Sequence, residues 1–168
     1  MCQTCITTKQ CVHCEANLEL TGHSLAALYV EALFKLRAAV RQYERNSIHL
    51  RDDMRAAGCP FRLSDDQWTN FGKLRYFGLA HHADRDNPRS GKWLLTDRGA
   101  AFLRGDVAIP RKVFTFRGHP VDSPEPVRPV HILEYRKELP NFEVYFDYKD
   151  RVGASERHRA ITLPMFRT

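Results

Sequence analysis

The chain has 168 residues, of which 43% are hydrophobic, enough for one packed domain with a short appendage. No stretch approaches the roughly 20 apolar residues of a transmembrane helix, and the N-terminus lacks the apolar run of a secretory signal, so we expect a cytoplasmic protein with no membrane partner. The formal net charge of +6 suits a polyanionic partner, and residues 60–112 hold ten bases against six acids.

Four cysteines lie within the first fourteen residues, at Cys2, Cys5, Cys11 and Cys14. Each Cys-x-x-Cys pair lets a tight turn aim two sulfurs at one tetrahedral ion, and thiolates in a reducing compartment favour zinc. An iron–sulfur cluster, two disulfides or reactive thiols are the alternatives. Residues 1–20 are predicted to form a zinc knuckle that holds one structural Zn²⁺. Cys59 is predicted to be a small buried hydrophobe.

A central zone, residues 21–112, begins with predicted helices. Apolar residues recur at three- and four-residue steps across residues 25–43, which predicts a long amphipathic helix. A shorter helix is predicted at about residues 50–57, where Gly58 ends it.

The next helix is predicted over residues 64–77. Ser64 and Gln67 form a capping box at its start, and two acids in the first turn suit the positive end of the helix dipole. The inner face of this helix is predicted to consist of Trp68, Phe71 and Leu74.

A hairpin and a short helix complete the central zone. Residues 79–82 and 92–95 are strand-like and flank a run of turn formers and charges, which predicts a β-hairpin with a polar tip. Thr96 is predicted to cap a helix over residues 97–104, which Gly105 closes.

Residues 92–103, with the sequence KWLLTDRGAAFL, resemble the aromatic-x-Leu-Thr-x-x-Gly-x-x-x-Leu pattern of winged helix-turn-helix domains of the MarR/PadR kind. In that pattern the second wing strand runs into the following helix. Residues 70–79, NFGKLRYFGL, are similar to a recognition helix running into the first wing strand. The resemblance covers residues 22–112 and extends to small zinc-binding proteins of phages and mobile elements. It implies a winged-helix core.

The resemblance also implies a mode of binding to double-stranded DNA. The helix after Ser64 would enter the major groove, and the hairpin would act as a wing against phosphate or the minor groove. The implied contacts on the helix are Thr69, Asn70, Lys73, Arg75 and Tyr76. The implied contacts on the wing are Arg85, Arg89 and Lys92. A solvated charged face is the alternative interpretation of the same residues.

The third zone, residues 113–168, is predicted to be a β-rich extension. A proline-rich linker occupies residues 120–129, and residues 130–135 and 142–148 are predicted strands joined by a hairpin turn. This zone either packs on the core or forms a surface for a homodimer or another partner.

These patterns predict an α+β fold with a winged helix-turn-helix core, a short N-terminal zinc-binding knuckle and a C-terminal β extension. No nucleophile elbow, zinc-protease motif or dinucleotide fingerprint occurs in the sequence, so we do not expect an enzyme. The predicted function is DNA binding in the regulation of transcription or of mobile elements. The alternative is a protein–protein interaction module, such as a phage-encoded inhibitor or adaptor of a host complex.

Overall fold

The computed structural model of the chain describes residues 19–84 and 86–146, and these residues form an α+β fold, as predicted. In chain order the strands and helices are β1 (Thr21–Ser24), α1 (Ala27–Tyr43), β2 (Ser47–His49), α2 (Leu50–Met54), α3 (Asp65–Asn70), β3 (Ala80–His82), β4 (Lys92–Leu95), α4 (Asp97–Arg104), β5 (Ile109–Pro110), β6 (Lys112–Phe116), β7 (His119–Val121), β8 (Pro129–Val130) and α5 (Phe142–Tyr145). Short 3₁₀ helices lie at Phe71–Arg75, Pro88–Ser90 and Ile132–Lys137. No helix among these residues combines the length and the apolar composition that a membrane crossing requires.

Helix α1 is the predicted long helix, and it lies at the centre of the core. Its buried side is broader than the single predicted stripe, because two parts of the protein pack on it. One is the helix and sheet region that follows α1. The other is the C-terminal segment, from which Phe142 meets Phe34 edge-on with 5.9 Å between ring centroids. Arg37, only 7% exposed, also lies on this side and donates a hydrogen bond to the Tyr145 carbonyl.

A small antiparallel sheet follows α1. Strands β3 and β4 form the predicted hairpin, and β2 pairs with the other edge of β4, so the strand order is β2-β4-β3. Strand β2 was not expected, because only Ile48 among its three residues is apolar. Ile48 lies opposite Trp93 in the register, and both side chains are buried. Pairing with β4, rather than a local pattern, therefore defines β2.

Two short helices connect β2 to the hairpin. Helix α2 ends at Met54, earlier than predicted. Helix α3 begins with both bonds of the predicted capping box: Ser64 Oγ accepts from the Gln67 N–H at 3.2 Å, and Gln67 Oε1 accepts from the Ser64 N–H at 3.0 Å. The chain then tightens into the 3₁₀ helix that ends at Arg75, instead of continuing as α-helix to residue 77. We call residues 65–75 the α3 segment.

The prediction that Trp68 lies on the inner face of the α3 segment is wrong. Phe71 and Leu74 are buried as predicted, but Trp68 is 38% exposed, and Gln67 is the buried residue of α3. Gln67 Oε1 accepts a second hydrogen bond from Lys35 Nζ of α1 at 2.9 Å. Residues 67, 71 and 74 share one helical face, so an inward Gln67 turns Trp68 toward solvent.

The junction between the hairpin and α4 explains the Thr-x-x-Gly pattern. Thr96 Oγ1 caps α4 by accepting from the Gly99 N–H at 2.8 Å, and it lies 2.7 Å from the Gly78 carbonyl, to which it donates. A Cβ on Gly99 would lie 2.1 Å from the Leu79 carbonyl oxygen. The start of α4 is therefore joined to the chain entering β3, with no room for a side chain between them.

A second antiparallel sheet, in the order β1-β6-β7, joins the start of the described chain to its later half. It contains residues from both the predicted central zone and the predicted C-terminal zone. Arg117 and Gly118 form the turn between β6 and β7 with φ angles of 49° and 77°. Two positive φ angles are typical of two-residue turns whose twist matches that of the strands. Strands β5 and β8 form a separate antiparallel pair.

The prediction of two strands near the C-terminus is wrong. Strand β8 ends at Val130 and a 3₁₀ helix follows it, while the strand predicted at residues 142–148 begins as helix α5. The rings of Phe142 and Phe146 stack with 5.0 Å between centroids, and the Tyr145 ring stacks on α1. Because helical spacing brings the Phe142 and Tyr145 rings to Phe34 of α1, the packing on α1 outweighs the alternation that predicted a strand.

Candidate nucleic-acid interface

The outward side of α3 carries Trp68, Thr69 and Asn70. Trp68 and Thr69 are exposed, and sequence reasoning missed Trp68 as a surface residue because large aromatics are usually assigned to the core. Asn70 is half-buried, and its Nδ2 donates to the Asp66 carbonyl one turn earlier at 2.8 Å. Thr69 is thus open to a partner, whereas Asn70 is engaged within its own helix.

Lys73 lies along α1 rather than extending into solvent. Its Nζ donates to the Tyr29 hydroxyl at 3.3 Å and lies 5.7 Å from the centroid of the same ring. The side chain is half-buried. This candidate base contact is therefore already paired with an aromatic residue of the core helix.

Arg75 and Tyr76 form a stacked pair at the end of the α3 segment. Arg75 Nη2 donates to the Tyr76 hydroxyl at 3.1 Å, and its guanidinium carbon lies 4.9 Å from the ring centroid. The Tyr76 ring stacks on His23 of β1 at 4.7 Å, and His23 Nε2 lies 3.0 Å from Thr115 Oγ1 of β6. Burial lowers the pKa of His23, and the nearby charge of Lys73 lowers it further. His23 thus links the second sheet to the end of the α3 segment.

Two of the wing candidates lie in the β3–β4 hairpin: Arg89 in the tip between the two strands, and Lys92 at the start of β4. Asp84 Oδ1 accepts from two following backbone N–H groups at 3.0 Å each, which closes the tip into a turn. Arg89 is exposed in the 3₁₀ turn, and Lys92 is exposed at the start of β4. Neither forms an ion pair with any residue that the structure describes. Arg85 lies outside the described residues.

One of the two acids in the first turn of α3 is paired. Arg55 Nη1 lies 2.7 Å from Asp65 Oδ1 and also donates to the Leu63 carbonyl at 3.1 Å. The same guanidinium lies 5.8 Å from the Trp68 ring centroid. Arg55, Trp68 and Arg51 contribute to an open groove of about 760 Å³ beside α3. Pairing with Arg55 reduces the repulsion that Asp65 would exert on a phosphate.

A second open cleft, of about 410 Å³, lies where the α3 segment meets the β6–β7 turn. Its lining residues are Arg75, Tyr76, Arg117, Gly118, His119 and Pro120. Sequence reasoning placed Arg75 and Arg117 in different zones of the chain. The adjacent Arg117 and Gly118 between two strand-like stretches were a signal for a basic hairpin turn, but nothing in the sequence placed that turn beside Arg75.

The predicted zinc ligands Cys2, Cys5, Cys11 and Cys14 lie outside the described residues, so the zinc site stays a prediction. Within residues 19–84 and 86–146, no group of three or more histidine, cysteine or acidic side chains is arranged to hold a metal ion.

Cys59, predicted to be a buried small hydrophobe, is half-buried. Its Sγ donates to the Asp53 carbonyl at 3.0 Å and lies 4.0 Å from the Tyr43 hydroxyl. Burial raises the pKa of Tyr43, and the contact with the thiol raises it further. The polar partners of the sulfur explain why this residue is not a simple apolar core group.

A scan against protein-family models, a search of curated proteins and a search of solved structures each found no match to this chain.

Proposed function

We propose that this chain is a winged-helix protein that binds double-stranded DNA. The observation that carries the proposal is the element order α1, β2, α2, α3, β3 and β4, with the sheet arranged β2-β4-β3. A winged helix has this order of helix, strand, two helices and hairpin, and the second helix of its helix-turn-helix pair enters the major groove. By this arrangement α3 is the recognition helix and the β3–β4 hairpin is the wing.

The candidate residues divide by how free they are to meet DNA. Thr69 and Arg75 are exposed, and Arg75 has further guanidinium N–H groups beyond the one bonded to Tyr76 with which to contact the duplex. Asn70 and Lys73 would first exchange their bonds to Asp66 and Tyr29 for bonds to a base or phosphate. Such an exchange of one hydrogen bond for another has a small net cost. Thr69 and Arg75 are therefore proposed as primary contacts, and Asn70 and Lys73 as contacts made on close approach.

The basic residues of the wing are proposed to contact phosphate groups and not to recognise bases. Arg89 and Lys92 would neutralise phosphates and hold the recognition helix in register, and Arg85 is proposed from the sequence as a third such residue. Contacts of this kind release counterions, so affinity falls steeply as salt is raised. A protein with these properties would act in the regulation of transcription or of mobile-element functions.

The test is duplex retention measured across a salt series. Replacing Arg89 and Lys92 together by alanine should weaken binding to all duplexes alike and reduce the slope of log affinity against log salt by about 2. A double variant of Arg128 and Arg136 to alanine is the matched control, because it removes the same charge from exposed ion pairs with Glu134 and Glu143. The control should retain most of the salt dependence.

Absence of any duplex retention at low salt would overturn the DNA proposal. The exposed Trp68, which lies beside the groove next to α3, then becomes the feature to follow. It favours the second candidate, a protein–protein interaction module, because exposed tryptophans are enriched at the centres of protein interfaces. In that case Trp68→Ala should abolish binding to a purified protein partner.

We also propose that the N-terminal cysteines hold one structural zinc ion. The spacing of Cys2, Cys5, Cys11 and Cys14 supports this proposal. Elemental analysis of protein purified without chelators should find about one zinc per chain. Cys5→Ser or Cys14→Ser should release the ion, while Cys59→Ser should retain it. Iron with visible absorbance would indicate a cluster instead.

A further inference from the structure

The cleft between the α3 segment and the β6–β7 turn is lined by two arginines and by Tyr76, which forms its floor. Arg75 comes from the end of the α3 segment, and Arg117 comes from the turn. Gly118 faces Tyr76 closely, since a Cβ built on it would lie 4.0 Å from the Tyr76 hydroxyl oxygen. The turn therefore lies against the same tyrosine that holds the Arg75 guanidinium.

The floor of the cleft is held by contacts on both sheet and helix. The Tyr76 ring stacks on His23, and His23 is tied to Thr115 of the neighbouring strand. The β6–β7 turn has only two residues, both with positive φ, so Arg117 starts from a defined backbone position. The α3 segment and the β6–β7 turn, which carry the two guanidinium groups, are therefore held in place by contacts within the protein rather than by a ligand.

The charge of the cleft is uncompensated. No acidic residue lines it, and neither Arg75 nor Arg117 forms an ion pair within the part of the chain that the structure describes. Four other arginines, Arg55, Arg104, Arg128 and Arg136, each contact a carboxylate within 3 Å. An arginine pair without carboxylates is suited to bind an external anion, and the planar guanidinium matches the oxygens of a phosphate.

We propose that this cleft binds a phosphate group, and that the phosphate belongs to the backbone of the duplex held by the α3 segment. The inference rests on the proposed function and extends it: the β6–β7 turn becomes a second backbone contact, separate from the wing. Arg117 donates to the phosphate oxygens from the turn, and Arg75 donates from the end of the recognition helix. The exposed His119 ring offers a further nitrogen at the same site.

The shape of the cleft favours a polymer over a small free phosphate. The cleft is open to solvent rather than enclosed, so a phosphodiester can pass through it with its neighbouring sugars outside. Pockets for small ligands usually surround most of the ligand surface. A free phosphate or a nucleotide shares the same chemistry, and the experiment below separates the two sources.

The decisive variant is Arg117→Asn. Asparagine tolerates the left-handed backbone at this position, where φ is 49°, so the charge is removed without straining the turn. Arg75→Ala removes the second guanidinium, and Arg136→Asn is a charge-matched control outside the cleft. Each variant is compared with the unmodified full chain in a duplex-binding salt series and in a titration with inorganic phosphate followed by NMR of the arginine Nε–H groups.

We expect Arg117→Asn and Arg75→Ala each to lower duplex affinity about tenfold and to reduce the salt slope by about 1, while Arg136→Asn changes neither. If the unmodified protein binds no duplex but phosphate shifts the Arg117 signal saturably, the proposed function fails and the cleft is a site for free phosphate. If duplex binding is intact in Arg117→Asn and phosphate shifts no cleft signal, the inference is overturned.

Discussion

The β3–β4 and β6–β7 hairpins hold their basic residues in different ways. The β3–β4 hairpin carries Arg89 on a long tip that is closed by Asp84 and a 3₁₀ turn, beyond the paired strands. The β6–β7 hairpin carries Arg117 on a two-residue turn that lies against Tyr76. The tip of the β3–β4 hairpin therefore extends further from its strands, whereas the β6–β7 turn is fixed in position by its contact with Tyr76.

This difference predicts which substitutions should destabilise each hairpin. The long hairpin depends on its base, where Thr96 and Gly99 join it to α4, and on the glycine that ends its tip. The short hairpin depends on the stack of His23 and Tyr76 beneath it. Substitutions at these points should disturb one hairpin and leave the other in place.

The largest effect is expected at the base of the long hairpin. Gly99→Ala would place a Cβ 2.1 Å from the Leu79 carbonyl oxygen, and backbone cannot move aside cheaply. We expect the free energy of unfolding to fall by about 3 kcal/mol or more. Gly72→Ala is the control, because nothing lies within 4 Å of a Cβ there. Denaturant unfolding that shows equal stability for the two variants would contradict the junction described above.

A smaller effect is expected at the tip of the long hairpin. Gly91 has φ of 71°, and a Cβ on it would lie 2.8 Å from His49 Nε2. The His49 ring cannot shift freely, since its Nδ1 accepts from the Asp52 N–H at 3.1 Å. We expect Gly91→Ala to lower the free energy of unfolding by about 2 kcal/mol.

The matched control for Gly91→Ala is Gly58→Ala. Gly58 has a similar φ of 77° but nothing within 4 Å of a built Cβ, so the variant measures backbone strain alone, at about 1 kcal/mol. The difference between the two variants isolates the contact with His49. Equal costs would mean that His49 does not restrain the tip.

The short hairpin should respond to loss of its aromatic support. His23→Ala removes both the stack on Tyr76 and the contact with Thr115, and we expect a loss of about 1 kcal/mol of stability. It should also weaken the salt-dependent contact attributed to Arg117, while the contribution of Arg89 and Lys92 stays unchanged. His23→Phe should restore the stack and most of the stability. Failure of this rescue would assign the loss to the Thr115 contact.

The smallest effect is a dependence of stability on pH. Burial lowers the pKa of His23 and of His82 below the ordinary value of 6.5; the charge of Lys73 adds to the shift at His23, and the charges of Arg75 and His81 add to it at His82. Near and below pH 6.5 the unfolded chain therefore binds more protons than the folded protein, so the free energy of unfolding falls as pH is lowered through this window.

Urea unfolding between pH 7.5 and pH 5.5 measures this slope. The double variant of His23 and His82 to asparagine should flatten it, because the two groups with depressed pKa values are gone. A slope that is unchanged in the double variant would assign the pH dependence to other groups.

Neighbouring residues were enough to predict several local features. The capping box of Ser64 and Gln67, the Thr96 cap and the β3–β4 hairpin all follow from side chains that bond or turn within a few positions of themselves. The long helix α1 follows from repeated apolar spacing. In each case the spacing or side chain that identifies the feature lies close in the sequence, so the pattern alone predicts it.

Contacts between distant residues decided the rest. Strand β1 exists because it pairs with β6, and α5 is a helix because its rings pack on α1. Gln67 is buried and bonds to Lys35 of α1, so the adjacent Trp68 faces solvent.

The arrangement of the candidate site has the same origin. Arg75 and Arg117 are separated widely in the chain and line one cleft where His23 of the second sheet packs on Tyr76. The sequence by itself determined the helices, caps and hairpin whose bonds are local. Only the tertiary structure decided which side chains face out and which basic groups share a cleft, because those outcomes depend on partners that no local pattern specifies.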